Sequence, residues 1–244
     1  MPVAVVTGAG SGLGRAFAVA LGGAGYDVAL LGRTAATLEE TAALVGSSLV
    51  LPTDVTSADE VGGAFAAVRD EWGRVDVLVN NAGRFGPSGL VDEIAVEEWR
   101  ATVEVNLTGM FLCARSAFAL MRTQSPGGGR IVNNGSISAH APRPGSAPYT
   151  STKHAVTGLT KSLLLDGRPF GIRCTQVDIG NAATEMTAAM PAGAPQADGS
   201  VRPEQTFDPR HVADAVVRIA QLPLDVDVPF LVMTAAGMPW LGRG

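Results

Sequence analysis

The sequence predicts an α/β fold in which helices cover both faces of a parallel sheet. Short apolar runs rich in β-branched residues alternate along the 244-residue chain with longer amphipathic stretches, a pattern typical of parallel strands joined by helical crossovers. The first run leads into a glycine-rich turn, Gly8 to Gly14, that precedes a helical stretch. Because no change in composition divides the chain, we expect a single domain over residues 1–244.

Seven runs are predicted as buried strands and six stretches as helices. The strands lie at 3–6, 28–31, 49–51, 75–79, 131–133, 172–177 and 230–233, and the helices near 12–23, 35–45, 58–71, 96–123, 148–165 and 210–221. Ser57 followed by Glu60 fits a capping box at the start of the third helix. Since such sheets bind ligands outside the carboxyl ends of their strands, we expect the functional residues in the loops there.

The segment 178–209 lacks a long periodic pattern and is rich in Ala, Pro and Gly. Irregular segments of this length inside a compact domain are usually functional. Because it follows the end of a strand, we expect a substrate lid rather than a plain linker, with a short helix over 184–190.

Charge and hydropathy argue against several kinds of partner. The formal net charge is −5 and Lys and Arg do not cluster, so a nucleic-acid partner is not expected. The first residues show no signal-peptide pattern, and no run reaches the roughly 18 uninterrupted apolar residues of a membrane span. We therefore expect a cytoplasmic protein without a membrane partner.

Cysteines and histidines give no metal pattern. Cys113 and Cys174 lie in apolar runs and are predicted to be buried free thiols in a reducing compartment. His140, His154 and His211 show no ligand spacing, so no metal site is expected.

The glycine-rich turn indicates a nucleotide site. Glycines allow a backbone to approach a pyrophosphate closely, and the helix that follows supplies unpaired N–H groups. The spacing is Gly8-x-x-x-Gly12-x-Gly14, with Leu13 where the pattern G-x-G-x-x-G has its third glycine. No Gly-Lys-Ser/Thr follows, which argues against an NTPase. Taken alone, the segment is also compatible with a structural tight turn.

Tyr149 and Lys153 are the pair that suggests catalysis. Four residues apart on a predicted helix, they lie on the same face. A phenol with a pKa near ~10 is a poor acid–base catalyst at neutral pH, and a neighbouring cation lowers that pKa. Alone, the same spacing also describes a surface tyrosine one turn from a solvated lysine.

Together these residues resemble the classical short-chain dehydrogenase/reductase family over nearly the whole chain, and the motifs occur in the family's order. The family's TGxxxGxG cofactor turn matches Thr7 to Gly14, and its acidic residue after the third strand matches Asp54. Its NNAG motif matches residues 80–83. Its catalytic Asn, Ser, Tyr and Lys match Asn106, Ser136, Tyr149 and Lys153.

The resemblance, closest to 3-oxoacyl reductases, implies a single-domain, doubly wound Rossmann fold with a seven-stranded parallel sheet. It implies hydride transfer between a nicotinamide cofactor and a ketone or secondary alcohol, such as a 3-oxoacyl thioester. Tyr149 would exchange the proton, and Lys153 would lower its pKa and bind the nicotinamide ribose. Ser136 would hold the substrate oxygen, and Asn106 would position a water that links Lys153 to solvent.

The resemblance also implies a set of cofactor-binding residues and an oligomer. The cofactor set is Gly8, Ser11, Gly12, Leu13, Gly14, Arg33, Asp54, Val55, Asn80, Ala82, Gly83, Tyr149, Lys153, Gly180 and Thr184. Family members are usually dimers or tetramers, so we expect a homo-oligomer with the helices near 96–123 and 148–165 in one interface. Two other functions stay open: an epimerase or dehydratase of the same fold, and a non-catalytic NADP(H) sensor.

Cofactor choice depends on the end of the second strand. NAD-preferring relatives usually carry an acid at the position of Gly32, which is absent here, and Arg33 follows. Its planar guanidinium suits a 2′-phosphate, so we expect NADP(H). The alternative is NAD(H), with Arg33 stacked on the adenine.

The chain departs from the family around the substrate. Asp178-Ile179-Gly180 replaces the usual Asn-Pro-Gly, and Gly135 rather than Ser precedes the catalytic serine. The chain from Thr234 onward also differs from the common Asp-Gly-Gly. Five loop residues are candidate substrate contacts or, equally, solvated side chains: Arg84, Phe85, His140, Arg143 and Met186.

Overall fold

The computed structural model describes residues 1–240, and it contains nine strands in that range. They are β1 (Val3–Thr7), β2 (Asp27–Gly32), β3 (Ser48–Pro52), β4 (Val77–Asn80), β5 (Gly129–Asn134), β6 (Ile172–Gly180), β7 (Ala194–Pro195), β8 (Val201–Arg202) and β9 (Phe230–Thr234). Seven of them form one parallel sheet in the order β3-β2-β1-β4-β5-β6-β9. This strand order confirms the doubly wound Rossmann fold. The last four residues of the predicted domain, 241–244, lie outside the described residues.

The helices match the predicted stretches to within a few residues at most ends. They are α1 (Gly12–Gly23), α2 (Ala35–Ala42), α3 (Ala58–Trp72), α4 (Val96–Val103), α5 (Gly109–Thr123), α6 (Ala147–Gly167) and α7 (Arg210–Ala220). At the start of α3, the Ser57 hydroxyl accepts a hydrogen bond from the backbone N–H of Glu60 at 3.3 Å. The predicted N-cap is therefore confirmed, but the capping box is incomplete, because the Glu60 carboxylate accepts from the backbone N–H of Asp54 rather than from that of Ser57.

The predicted helix over 96–123 is not one continuous α-helix. A π-helical turn, Glu104–Thr108, separates α4 from α5 and contains Asn106. Helix propensities do not distinguish a π turn from an α turn, so the sequence pattern could not predict it. Such turns often lie at functional sites.

Strand residues alternate between two apolar layers because successive side chains of a strand face opposite sides of the sheet. On one face, Ala4 and Val6 belong to the layer that contains α1 and α7. On the other, Val3 and Val5 belong to the layer of α3 and α5. That second layer also contains Cys113 and Cys174, both buried and free as predicted.

The stretch Val96–Thr123 is long and apolar enough to cross a bilayer when judged by length and composition alone. Core helices of water-soluble proteins pass the same test. Here α5 packs Cys113, Ala117 and Met121 into the layer beneath the sheet. This packing accounts for part of the apolar character of the stretch, whose most apolar window is 33% buried.

The predicted lid has more structure than its composition indicates. Residues 178–180 complete β6, and the rest, which we call the lid segment (181–209), contains a 3₁₀ turn at Glu185–Thr187 and the β7–β8 hairpin. A bridge between Ala182 and Phe207 brings its two ends together. The short helix expected over 184–190 is this single 3₁₀ turn.

Candidate active site

The loops after β1 and β4 meet where the strand order reverses. β1 and β4 are neighbours, although three helices and two strands separate them in the chain. A Cβ placed on Gly8 would lie 3.0 Å from the Cα of Ala82. The glycine turn and the 80–83 motif thus lie in contact at the switch point of the sheet, where such folds bind ligands.

The glycine turn has a backbone that suits a pyrophosphate. Gly8 and Gly12 have φ values of +65° and +49°, in the left-handed region that glycine adopts without strain. A Cβ on Gly14 would lie 2.0 Å from the carbonyl oxygen of Gly8, so only glycine lets α1 start so close to β1. Ser11 is the exposed N-cap residue of this helix, and Leu13 packs against the core. These features fit a dinucleotide cofactor.

One predicted cofactor residue, Asn80, does not bring its side chain to this turn. Asn80 is 1% exposed, and its amide nitrogen donates to Asn133 and to the backbone of Met110. Its side chain instead links β4 to β5 and α5 inside the protein, and its contact with the cofactor stays a prediction.

The neighbour Asn81, outside our predicted set, holds the turn in place. Its amide nitrogen donates to the Thr7 carbonyl at 3.0 Å, and its amide oxygen accepts from Asn134 at 2.9 Å. The backbone N–H groups of Asn81 and Ala82 both donate to the Thr7 hydroxyl. The two consecutive asparagines of the motif were the signal in the sequence for this second role. The side chain of Asn80 bonds inside the protein, and that of Asn81 bonds the glycine turn.

The residues expected at the adenine end lie next to each other. Arg33 follows β2 and is exposed, and Asp54 follows the adjacent β3. Hydrogen bonds from Thr56 lower the pKa of Asp54, and the charge of Arg33 lowers it further. Val55 is buried, and a Cβ on Gly109 would lie 2.7 Å from its methyl group. Arg33 and Asp54 thus form one polar edge beside the glycine turn.

The end of β6 brings the lid segment to the same edge. A Cβ on Gly12 would lie 3.6 Å from the Thr184 side chain, although the two residues are far apart in sequence. Gly180 is the last residue of β6, and a Cβ on it would lie 2.8 Å from the sulfur of Met238. Gly83 lies near Asn106, whose amide oxygen would be 3.3 Å from a Cβ at that glycine.

Tyr149 and Lys153 lie in the first two turns of α6, as their spacing predicts. Lys153 is 5% exposed, and its ammonium donates to the carbonyl of Asn134 at 2.8 Å. The same ammonium lies 5.4 Å from the centroid of the Tyr149 ring. The ring of Phe85 stacks on Tyr149 at 4.8 Å, and the Ser136 hydroxyl lies close enough to the phenol to lower its pKa. Ser136, Tyr149 and Lys153 thus form one cluster.

The pKa values of this cluster differ from our expectation. Burial raises the pKa of Tyr149; the hydrogen bond with Ser136 lowers it, and the charge of Asp178 raises it. Burial lowers the pKa of Lys153 to about 8, against the opposing effect of Asp178. In the protein alone, the Tyr149 pKa is therefore raised, with burial as the largest cause, and the lowering expected from Lys153 stays a prediction.

The side chain of Asn106 links the loop after β4 to α6, the helix that carries Tyr149 and Lys153. Its amide oxygen accepts from the backbone N–H of Arg84, and its amide nitrogen donates to the Arg84 carbonyl, both at 2.8 Å. The same nitrogen donates to the Thr152 hydroxyl at 3.2 Å, next to Lys153. The π turn thus places Asn106 beside the cluster.

Two candidate substrate contacts are held in ion pairs. Arg143 donates to both carboxylate oxygens of Glu204, at 2.8 and 2.6 Å, and Arg84 pairs with Glu98. The Arg143–Glu204 pair is buried, with exposed side-chain fractions of 9% and 1%. Arg143 therefore holds the lid segment against the loop that precedes α6. Met186, another candidate substrate contact, is exposed within the lid segment.

Asp178, for which the sequence predicts no role, lies against the cluster. Its buried carboxylate accepts from the Ser136 backbone N–H at 2.9 Å and bonds the ring of His140 at 2.7 Å. The sequence contained a signal for this contact, because Gly135 and Asp178 both depart from the family pattern.

Comparisons with known proteins agree with this geometry. The model of the short chain dehydrogenase family matches residues 2–194. The 2-(R)-hydroxypropyl-CoM dehydrogenase of Xanthobacter autotrophicus is 41% identical over 192 residues, which cover 76% of this chain and 76% of that protein.

Solved structures of similar proteins contain nicotinamide cofactors. The alcohol dehydrogenase of Thermococcus sibiricus, complexed with 5-hydroxy-NADP, has a TM-score of 0.82 and 27% identity over 96% of each chain. The 3-ketoacyl-(acyl-carrier-protein) reductase of Brucella melitensis, complexed with NADH, has a TM-score of 0.82 and 25% identity over 95% of this chain and 96% of that one. With a family match over most of its length, this chain belongs to the short-chain dehydrogenase/reductase family, and it is an oxidoreductase that acts on alcohols or ketones with a nicotinamide cofactor.

Proposed function

We propose that the protein is an NADP(H)-dependent reductase of a ketone, such as a 3-oxoacyl thioester, with Tyr149 as the general acid. The proposal depends on one observation above all: Ser136, Tyr149 and Lys153 form one cluster at the carboxyl edge of the sheet. A nucleotide sensor has no need of a phenol, a hydroxyl and a buried ammonium placed close together. We also propose that residues 1–244 form one cytoplasmic domain.

Each residue of the cluster has a chemical task. When bound, NADPH would supply the hydride. Tyr149 would donate its phenolic proton to the carbonyl oxygen, and the Ser136 hydroxyl would hold that oxygen and stabilise its developing charge. The ammonium of Lys153 would stabilise the phenolate that remains. The side chain of Asn106 is already bonded to Arg84 and Thr152. The water that would link Lys153 to solvent would therefore be held by the backbone of the π turn rather than by this side chain.

The cofactor would lie along the carboxyl edge of the sheet. Ser11, Gly12 and the start of α1 would hold the pyrophosphate. Arg33 would bind the 2′-phosphate, and Asp54 and Val55 would lie beside the adenine. Ala82, Gly83, Gly180 and Thr184 would line the nicotinamide end, with Lys153 on the ribose.

Arg33→Ala is expected to lower kcat/KM for NADPH about tenfold to a hundredfold, because a hydrogen bond to a charged group contributes about 1.5–3 kcal/mol. The value for NADH should change little. Steady-state kinetics with both cofactors measure this, and Arg218→Ala, an exposed arginine on α7, is the matched control. Wild-type turnover with NADH that equals or exceeds turnover with NADPH would contradict the preference.

We further propose a homotetramer or homodimer with α4, α5 and α6 in one interface. Exposed apolar side chains on these helices support it: Trp99, Phe111 and Leu165 are 38%, 47% and 60% exposed. Phe111→Glu is expected to reduce the mass measured by size exclusion with light scattering, whereas Leu44→Glu, an exposed leucine away from these helices, should not. A wild-type monomer at micromolar concentration would overturn the proposal.

The reaction itself is tested with a panel of carbonyl substrates, followed by NADPH absorbance, and the corresponding alcohols with NADP⁺. Mass and stereochemical analysis of the products distinguishes reduction from epimerisation or dehydration, because only reduction adds two hydrogens to the substrate. Products with unchanged mass or with the loss of water would favour those alternatives.

A further inference from the structure

A buried carboxylate forms part of the wall of the catalytic cluster. Asp178 has no exposed surface, and a charge in that position must be compensated by hydrogen bonds. One carboxylate oxygen accepts from the Ser136 backbone N–H at 2.9 Å and from the Gln176 amide at 2.8 Å. The other oxygen bonds Nε2 of His140 at 2.7 Å. Asp178 thus accepts a hydrogen bond from the main chain of Ser136, which we propose as a catalytic residue.

Gly135 makes this arrangement possible. A Cβ at position 135 would lie 2.0 Å from the Asp178 carboxylate oxygen and 2.8 Å from Cγ of Gln176. A side chain at position 135 would therefore require these buried groups to move. The departures from the family pattern at positions 135 and 178 therefore belong to one structural feature.

The carboxylate also lies within electrostatic reach of the pair that moves the proton. Its charge raises the pKa of Tyr149 and opposes the lowering of the Lys153 pKa, although burial is the larger cause for both. The groups that face it are Tyr149 and Lys153 from α6 and His140 from the loop after β5. The neighbouring β9 and the 3₁₀ turn Ile137–Ala139 carry no ionisable side chain.

We propose that Asp178 is a positioning residue for the reaction: it fixes Ser136 through its main chain and holds a negative charge beside the Tyr149–Lys153 pair. This inference rests on the proposed function. His140 is its partner at the surface, where the imidazole is 41% exposed and packs edge-on against Trp240 at 5.9 Å.

The charge has a consequence for the protonation state of Tyr149. An anion beside Tyr149 stabilises the protonated phenol, the form that donates to a carbonyl oxygen. After donation, the phenolate lies near a second negative charge, which favours its reprotonation. Asp178 therefore keeps Tyr149 protonated to higher pH, and it opposes the stabilisation of the phenolate by Lys153.

Asp178→Asn tests the proposal, because asparagine has nearly the same shape, keeps an oxygen for the Ser136 N–H and removes the charge. The chain has only two tyrosines, so the ultraviolet difference between a protein and its Tyr149→Phe counterpart isolates the ionisation of Tyr149. Removal of the anion is expected to shift this ionisation to lower pH. The pH profile of kcat/KM for alcohol oxidation should shift the same way.

Asp166→Asn is the matched control, since this exposed aspartate lies about 25 Å along α6 from Tyr149 at 1.5 Å per residue. It should leave the titration of Tyr149 unchanged. Circular dichroism at each pH confirms that the proteins stay folded. If Asp178→Asn does not fold, Gly135→Ala provides the same test, because its Cβ must displace the carboxylate.

An ionisation of Tyr149 at the same pH in Asp178→Asn and wild type would overturn the inference, as would an equal shift in the control. The titration needs neither cofactor nor substrate. A protein that reduces no carbonyl but shows the shift would refute the proposed function and leave the electrostatic role of Asp178 standing.

Discussion

The Tyr149→Phe variant is expected to bind NADPH as tightly as the wild-type protein and to reduce carbonyl substrates about 10²–10⁴ times more slowly, the usual contribution of a general acid. Phenylalanine keeps the ring that stacks on Phe85 at 4.8 Å and removes only the hydroxyl. The loss should therefore fall on kcat. Fluorescence titration with NADPH measures binding, and stopped-flow absorbance measures the reduction.

Tyr26→Phe is the control, because Tyr26 is the only other tyrosine of the chain and lies in the apolar layer of α1. It loses the same hydroxyl and should keep wild-type turnover. Unchanged activity in Tyr149→Phe would remove Tyr149 from its role as the acid. Loss of NADPH binding in that variant would show that the ring, rather than the proton, is what the site requires.

Glu204→Gln is expected to destabilise the lid segment by about 3–5 kcal/mol, the cost of leaving one member of a buried ion pair without its partner. The variant leaves the buried guanidinium of Arg143 without a counter-charge. Glu204 also accepts hydrogen bonds from Asn181 at 2.7 Å and Gln196 at 2.8 Å, so the change affects both ends of the segment. Hydrogen exchange over residues 190–205 measures the result.

The pH dependence of the lid follows from the same group. Burial alone would raise the pKa of Glu204, but hydrogen bonds from Arg143, Asn181 and Gln196 bring it down to about 2. A carboxyl with a lowered pKa stabilises the folded form above its usual pKa of 4.5, and this contribution is lost as the pH falls toward about 2. Protection of the lid segment should therefore decrease over this interval in the wild type and vary less in Glu204→Gln.

Asp198→Asn is the control for the lid, because Asp198 pairs with Arg202 in the same hairpin with side chains 55% and 64% exposed. Exposed ion pairs contribute little to stability, so exchange should remain close to that of the wild type. Equal effects of the two substitutions would mean that the hairpin, rather than the buried pair, holds the lid segment.

The features predictable from the sequence were those with a local cause. Strand and helix positions follow from the spacing of apolar residues, and the pairing of Tyr149 with Lys153 follows from the period of a helix. The glycine turn follows from a backbone that only glycine allows at Gly14. Each of these depends on residues close together in the chain.

The missed features depend on contacts between distant segments. The contact of Asp178 with Ser136 spans 42 residues and that of Arg143 with Glu204 spans 61, and no periodicity connects such positions. The pKa of Tyr149 depends on burial by surrounding chain rather than on the lysine one turn away. Helix propensities do not predict the π turn at Asn106, because they do not distinguish it from an α-helical turn.

The steric relation between Gly135 and Asp178 also constrains how this active site evolved. Because a Cβ at position 135 would lie 2.0 Å from the carboxylate oxygen, a larger residue there and the present placement of Asp178 exclude one another. Any relative that places an acid as Asp178 is placed here should therefore carry glycine at the position of Gly135. A relative with serine at that position should have a different residue, or a different side-chain placement, at 178.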